Sequence, residues 1–123
     1  MAFLNDRVFD EGLSVLDLEA NAVHVTSAEA TDYTEATSTY SLGSSSTLSI
    51  GAPGDRAGGG RKVSVTAVDD GTISGTGTVT HYALVDTTNS RLLATAALTA
   101  SQSVTSGNTF TLATFDIGIP DPS

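Results

Sequence analysis

The chain has 123 residues, a formal net charge of −9, five lysines and arginines together, and no cysteine. This length predicts one domain with a single modest core, and the missing cysteines exclude disulfides, thiolate metal sites and cysteine nucleophiles. The acidic balance argues against nucleic-acid binding, which needs clustered lysine and arginine, and against an anionic membrane surface.

The first predicted element is a helix within residues 3–19. Phe9, Leu13 and Leu16 recur at i, i+4 and i+7, the spacing of one helix face. Gly12 costs about 1 kcal/mol relative to alanine inside a helix. Two arrangements therefore stay open, one continuous helix or a helix that ends near Gly12 before an extended segment. The N-terminus has no basic region followed by a long apolar core, so no secretory signal is expected.

The middle of the chain reads as mixed structure. Residues 21–27 alternate as a strand does, and residues 30–43 are ambiguous, with one helical turn near residues 33–37. Residues 47–50 predict a short strand. The stretch GAPGDRAGGG at 51–60 is the clearest loop, since glycine and proline punctuate it throughout.

The second half reads as strands separated by turns. Residues 61–69 alternate, and a tight turn at residues 69–72 predicts a hairpin with residues 72–86. A further strand is expected at residues 91–98. The final strand is expected at residues 109–119, and its inward-facing side chains are predicted to be Phe110, Leu112 and Ala113.

Short strands with regular turns are typical of an antiparallel sandwich or barrel. We therefore predict a mainly β fold, an antiparallel β-sandwich or barrel-like domain with a short N-terminal helical segment. One domain is expected over residues 1–123. Its predicted parts are a helical or extended arm (1–20), a variable loop-rich region (21–60), an antiparallel β half (61–119) and a C-terminal tail (120–123).

The candidate motifs for binding phosphate or a metal ion do not have the residue spacing that such sites require. In GAPGDRAGGGRKVS, Arg61 separates Gly60 from Lys62, and a strand follows where a phosphate-binding loop requires a helix. His24 and His81 have no further ligands at metal-binding spacing. Residues 68–71 lack the acidic pattern of an EF-hand, although a calcium site built from other loop aspartates stays open.

Motifs for catalysis fail as well. No nucleophile elbow accompanies His81 and Asp86, whose odd spacing on one strand would direct them to opposite faces. We expect no enzymatic activity, no catalytic residue, no cofactor, no bound metal and no small-molecule substrate. The three tyrosines, Tyr33, Tyr40 and Tyr82, leave glycan binding open, with packing as their ordinary role.

The two ends of the chain are unusually apolar. Candidate subunit-interface residues are Phe3, Leu4, Ile117, Ile119 and Pro120. They would either pack on their own core or contact a neighbouring subunit. Pro120 has no N–H and cannot extend an interior strand ladder, so the last strand is expected to stop before it.

Five segments carry a resemblance to a known family: AFLNDRVFDEGLSVLDLEAN, TDYTEATSTYSLG, GRKVSVTAV, HYALVDTTNSRLLATAAL and VTSGNTFTLATFDIGIPDP. Over residues 2–122 the chain resembles small virion structural proteins of tailed bacteriophages, a group close to head-decoration components. The most distinctive part is the strand, turn and strand pattern of ALVDTTNSRLLAT followed by VTSGNTFTLATFDI.

The resemblance implies a non-enzymatic protein made in the host cytoplasm and present in many copies on the virion. A decoration, or cement, protein of this kind binds the outer surface of the phage head and stabilises it. The implied partners are the major capsid protein and copies of itself, as in a trimer. The alternative is a tail, neck or fibre component, including a module that binds glycans on the host surface.

Overall fold

The computed structural model describes residues 6–119, with the side chains of residues 6–10 and 69 excepted. One helix, α1 (Asp6–Glu19), precedes the strands. These are β1 (Ala22–Thr26), β2 (Ser41–Ser45), β3 (Gly54–Asp55), β4 (Arg61–Val65), β5 (Val68–Ile73), β6 (Gly77–Asp86), β7 (Arg91–Val104), β8 (Thr109–Leu112) and β9 (Phe115–Ile119). The fold is mainly β and antiparallel with a short N-terminal helix, which confirms the predicted class.

The chain forms two compact units. Within the described range, the smaller unit contains residues 6–19, 49–67 and 113–119, and the larger unit contains residues 20–48 and 68–112. No helix in residues 6–119 combines the length and apolar character needed to cross a lipid bilayer.

The larger unit is a curled six-stranded sheet in the order β7-β6-β1-β2-β5-β8. On one face of β1, Val23 and Val25 are buried, and Val23 lies opposite the fully buried Leu84 of β6. On the other face, small side chains make an alanine-rich cluster against which Tyr33, Tyr40 and Leu92 pack: Ala22, Ala30, Ala36, Ala83 and Val85. Both faces of the central strands are therefore buried, which suits their β-branched and small residues.

The smaller unit is a three-stranded sheet in the order β3-β4-β9, with α1 packed over β4. Leu13 of α1 is buried, as are Val63 and Val65 of β4. The sheet is regular from Arg61 opposite Ile119 to Val65 opposite Phe115.

Helix α1 continues through Gly12, which settles the two arrangements that the sequence left open. A methyl group at Gly12 would lie 3.8 Å from Cδ1 of Ile119. This is an ordinary van der Waals distance, so the helix has room for an alanine at this position, and tertiary packing keeps the helix continuous despite the low helix propensity of glycine.

The predicted hairpin between residues 61–69 and 72–86 is wrong. Strand β5 pairs with β2 and β8, and β6 pairs with β1 and β7. The expected turn residues Asp70 and Gly71 lie inside β5, where Gly71 faces Phe110 of β8. Glycine at this position makes room for an aromatic ring, and the pairing of β5 with β8 shifts register between Val68 and Gly71.

The predicted final strand is also divided. Residues 109–112 belong to the larger unit as β8, and residues 115–119 belong to the smaller unit as β9. Ala113 is exposed in the break between them, which contradicts its predicted inward orientation, whereas Phe110 is buried as expected. The backbone N–H of Ala67, between β4 and β5, donates a hydrogen bond to Oγ1 of Thr114, between β8 and β9, at 3.1 Å.

Of the remaining predictions, some are confirmed and others are wrong. Strand β1 and a helical turn after residue 33 are confirmed, the latter as a π-helical segment, Glu35–Thr39. Residues 47–50 contribute one bridge, Ile50 to Val65, where a strand was expected. The loop at residues 51–60 contains the two-residue strand β3, and β1 and β2 from the supposedly variable region occupy the centre of the larger sheet.

Candidate interaction surface

Two of the five predicted interface residues lie in strand β9. Ile117 is half-buried opposite Val63, and Ile119 is 36% exposed opposite Arg61. Both point to the face of the sheet on which α1 packs, because residues two apart share a face. Phe3, Leu4 and Pro120 fall outside the described residues.

The exposed large apolar side chains of the described chain all belong to the smaller unit. They are Leu18 (81% exposed), Val15 (38%) and Ile119 (36%), which we name the apolar strip. Val15 and Leu18 are neighbours at i, i+3 on α1, and Ile119 contacts the helix at Gly12, one turn before Val15. The sequence predicted Ile119 but missed Val15 and Leu18, although their displacement from the Leu13 and Leu16 side of the helix was readable from the 3.6-residue period.

The opposite face of β9 is polar. The Asp116 carboxylate accepts a hydrogen bond from Oγ of Ser64 at 2.6 Å. It also forms a salt bridge with Lys62, whose Nζ lies 2.9 Å from Oδ2. These hydrogen bonds, that of Ser64 first, hold the pKa of Asp116 below its usual value. Arg56 and Gly118 complete a shallow pocket of about 350 Å³ on this face.

A second pocket, of about 380 Å³, opens on the larger unit and is lined mainly by serine and threonine. At its rim, Oδ1 of Asp70 accepts hydrogen bonds from Thr47 at 2.5 Å and from Ser45 at 3.0 Å, which lower the pKa of Asp70. His24 also lines this pocket, and its Nδ1 lies 2.8 Å from Oγ of Ser41. Burial lowers the pKa of His24.

The His24–Ser41 pair differs from a hydrolytic triad. In a triad, Nε2 of the histidine contacts the nucleophile and Nδ1 donates to a carboxylate, whereas here Nδ1 faces the hydroxyl. The pair links neighbouring strands β1 and β2. Across the described residues, no three histidine, aspartate or glutamate side chains lie close enough together to hold a metal ion.

The structure does not bring His81 and Asp86 together into a site. Nδ1 of His81 lies 2.8 Å from Oγ1 of Thr80. Buried Asp86 accepts hydrogen bonds from the backbone of Thr88 at 3.0 Å and from Nδ2 of Asn89 at 2.8 Å. The hydrogen bond from Asn89 is the main cause of the lowered pKa of Asp86. The distinctive DTTNS segment is thus a turn in which an aspartate caps the backbone.

The tyrosines do not form an exposed platform for sugars. Tyr33 and Tyr40 pack against the alanine-rich cluster. Burial raises the pKa of Tyr82, whose position on β6 lies opposite Val25 of β1. Packing on the larger sheet therefore accounts for Tyr33 and Tyr40.

We expect stability to fall in two steps as the pH is lowered. The pKa of His24 is below its usual 6.5 in the folded chain, so stability is fully present above pH 6.5 and falls as the pH drops towards the folded pKa. The pKa values of Glu35, Asp70, Asp86 and Asp116 are also lowered by hydrogen bonds. Their contribution is present above about pH 4 and is lost as the pH falls further.

Urea midpoints measured from pH 8 to pH 3 test this expectation. The variant His24→Gln should lack the decline that begins near pH 6.5 and keep the acidic one. A wild-type midpoint that stays constant from pH 8 to pH 5.5 would contradict the assignment to His24.

No protein family, curated protein or solved structure matches this chain. The resemblance to virion proteins is therefore carried by the sequence segments quoted above and stays a prediction.

Proposed function

We propose that this protein is a non-enzymatic structural protein of a tailed-bacteriophage virion, a decoration protein that binds the outside of the head and stabilises the shell. The resemblance of the sequence to small virion proteins of tailed bacteriophages is the reason for proposing a phage particle. The observation that carries the proposal is the apolar strip, since all the exposed large apolar side chains in residues 11–119 belong to the smaller unit.

The physical role of the apolar strip would be adhesion. Burying a side chain such as Leu18 contributes about 1.5–3 kcal/mol, so each copy binds through a few such contacts. Many copies on one shell would then add their binding energies across neighbouring capsid subunits. The net charge of −9 keeps the unbound protein soluble despite these apolar groups.

Virion composition and head stability test the proposal directly. Purified particles should contain hundreds of copies of this protein, and heads that lack it should burst at a lower temperature or under a milder osmotic shock. A dozen copies or fewer per particle would contradict a decoration role and favour the tail or neck.

The variant Leu18→Gln is expected to bind heads that lack the protein about ten- to thirtyfold more weakly, because the lost apolar burial is worth about 1.5–2 kcal/mol. Its thermal unfolding should stay unchanged, since Leu18 is 81% exposed. Ser38→Gln, an exposed position of the larger unit, is the control for surface mutation. Equal binding by the two variants in a sedimentation assay would remove Leu18 from the attachment surface.

A second candidate function is glycan recognition by a tail or fibre component. The hydroxyl-lined pocket near Asp70 favours it, because one carboxylate among hydroxyl groups can accept hydrogen bonds from a sugar. Binding to a glycan array or to host cells that is lost in Asp70→Asn would support this function. A decoration protein should bind neither.

A further inference from the structure

Among the strands of residues 6–119, β9 lies at one edge of the smaller sheet, beside β4. It pairs with β4 through five consecutive residues without a bulge. An edge strand presents backbone N–H and C=O groups to a further strand, and proteins that avoid such pairing usually place charges or bulges there. In β9 the only charged residue is Asp116, and its carboxylate is turned to Lys62 and Ser64 of β4.

The sequence of β9, Phe-Asp-Ile-Gly-Ile, is compatible with antiparallel pairing to itself. When the pairing centres on Ile117, that residue meets its own copy, and Phe115 lies opposite Ile119. Asp116 then lies opposite Gly118. A pairing centred on Asp116 would instead place two carboxylates side by side, which is destabilising. The charge pattern therefore disfavours that second pairing, whereas the pairing centred on Ile117 keeps the two carboxylates apart.

Arg56 supplies a complementary charge in that register. Its side chain lies across Gly118, where a methyl group would be 2.9 Å from Cδ and 3.1 Å from Nε of Arg56. Lys62 is the residue opposite Gly118 on β4. Asp116 of a second copy, placed opposite Gly118, would therefore lie beside Arg56 and in line with Lys62.

We propose that two copies of this chain associate through β9, antiparallel about a two-fold axis at Ile117. The two three-stranded sheets become one six-stranded sheet, and Arg56 of each copy lies beside Asp116 of the other. Such a contact uses the same surface twice, as two-fold interfaces do. It does not depend on attachment to a phage head, and Leu18 of the apolar strip belongs to a different element, α1.

Cysteine cross-linking tests the register, because the natural chain contains no cysteine. In the full-length protein, Ile117→Cys should form a disulfide-linked dimer under mild oxidation, since directly opposed residues have Cα atoms about 4.5–5.5 Å apart. Ile119→Cys is the matched control on the same face of the same strand. Two copies of residue 119 would be about 14 Å apart along the paired strands and should not cross-link.

Chance collision predicts the opposite ranking, because Ile119 is the more exposed residue. Faster cross-linking at position 119 than at position 117 would overturn the proposed register. Far-UV circular dichroism of each reduced variant establishes that it is folded before oxidation.

Sedimentation of proteins without cysteine gives a second readout. The wild-type chain should show concentration-dependent dimerisation, and Arg56→Glu should weaken it at least tenfold by placing an acid beside Asp116 of the second copy. Arg91→Glu makes the same change of charge in the larger unit and should leave the dimer intact. A wild-type chain that is monomeric at every concentration, or a dimer indifferent to Arg56→Glu, overturns the proposal. Failure of head binding with an intact dimer would count against the decoration role alone.

Discussion

Ending the chain after Phe115 is expected to unfold the smaller unit, whereas ending it after Gly118 is expected to leave that unit folded. The first truncation removes four of the five β9 residues paired with β4 and uncovers Val63, which is fully buried and lies opposite Ile117. Exposing one valine costs about 1.5–3 kcal/mol, and the four strand pairs lost with it add to a deficit that is large against the roughly 5–15 kcal/mol that stabilises a whole domain. The second truncation keeps four of the five pairs.

Hydrogen exchange of residues 61–65 is the most direct measurement, because it reports on β4 itself. Protection should disappear in the chain that ends at Phe115 and persist in the chain that ends at Gly118. The chain that ends at Gly118 lacks Ile119 of the apolar strip, so under the proposed decoration role it should also bind phage heads more weakly than the full chain. Full protection of β4 in the chain that ends at Phe115 would show that the rest of β9 is dispensable for folding.

Replacing Gly71 by alanine is expected to destabilise the larger unit by about 2–3 kcal/mol. Gly71 lies opposite Phe110, and a methyl group there would overlap the aromatic ring. Phe110 is itself buried, so the ring has little freedom to move away. Overpacking of this kind typically costs 1–3 kcal/mol.

A double-mutant cycle separates this clash from a general effect of alanine. Phe110→Leu should destabilise the chain on its own, and its combination with Gly71→Ala should cost less than the sum of the two changes. Gly54→Ala is the control, because nothing lies within 4 Å of the added methyl group. Strictly additive free energies from urea unfolding would mean that the ring is not the obstacle.

The sequence was informative where local pattern and tertiary structure agree. Alternation placed β1, and the i, i+4, i+7 spacing placed α1, including the buried Leu13 and Leu16. Prediction from the sequence was wrong where a residue typical of a turn is required by packing against a residue far along the chain. Asp70-Gly71 is typical of a turn, yet Gly71 accommodates a ring from β8, thirty-nine positions along the chain.

The division of residues 109–119 between two sheets had no local signal either. The run from Thr109 to Ile119 is continuously strand-like, and only pairing with different partners separates β8 from β9. The candidate surface shows the same limit. Ile119 was predicted from its place near the end of the chain, but the position of Arg56 over Gly118 depends on packing that no spacing rule encodes.

The smaller unit is assembled from three stretches that are far apart in the chain: residues 6–19, 49–67 and 113–119. During synthesis, α1 and β4 leave the ribosome long before β9 is made. Contacts of such long sequence separation form late and slowly. The parts of the apolar strip on α1 and on β9 therefore come together only after residues 115–119 have been synthesised.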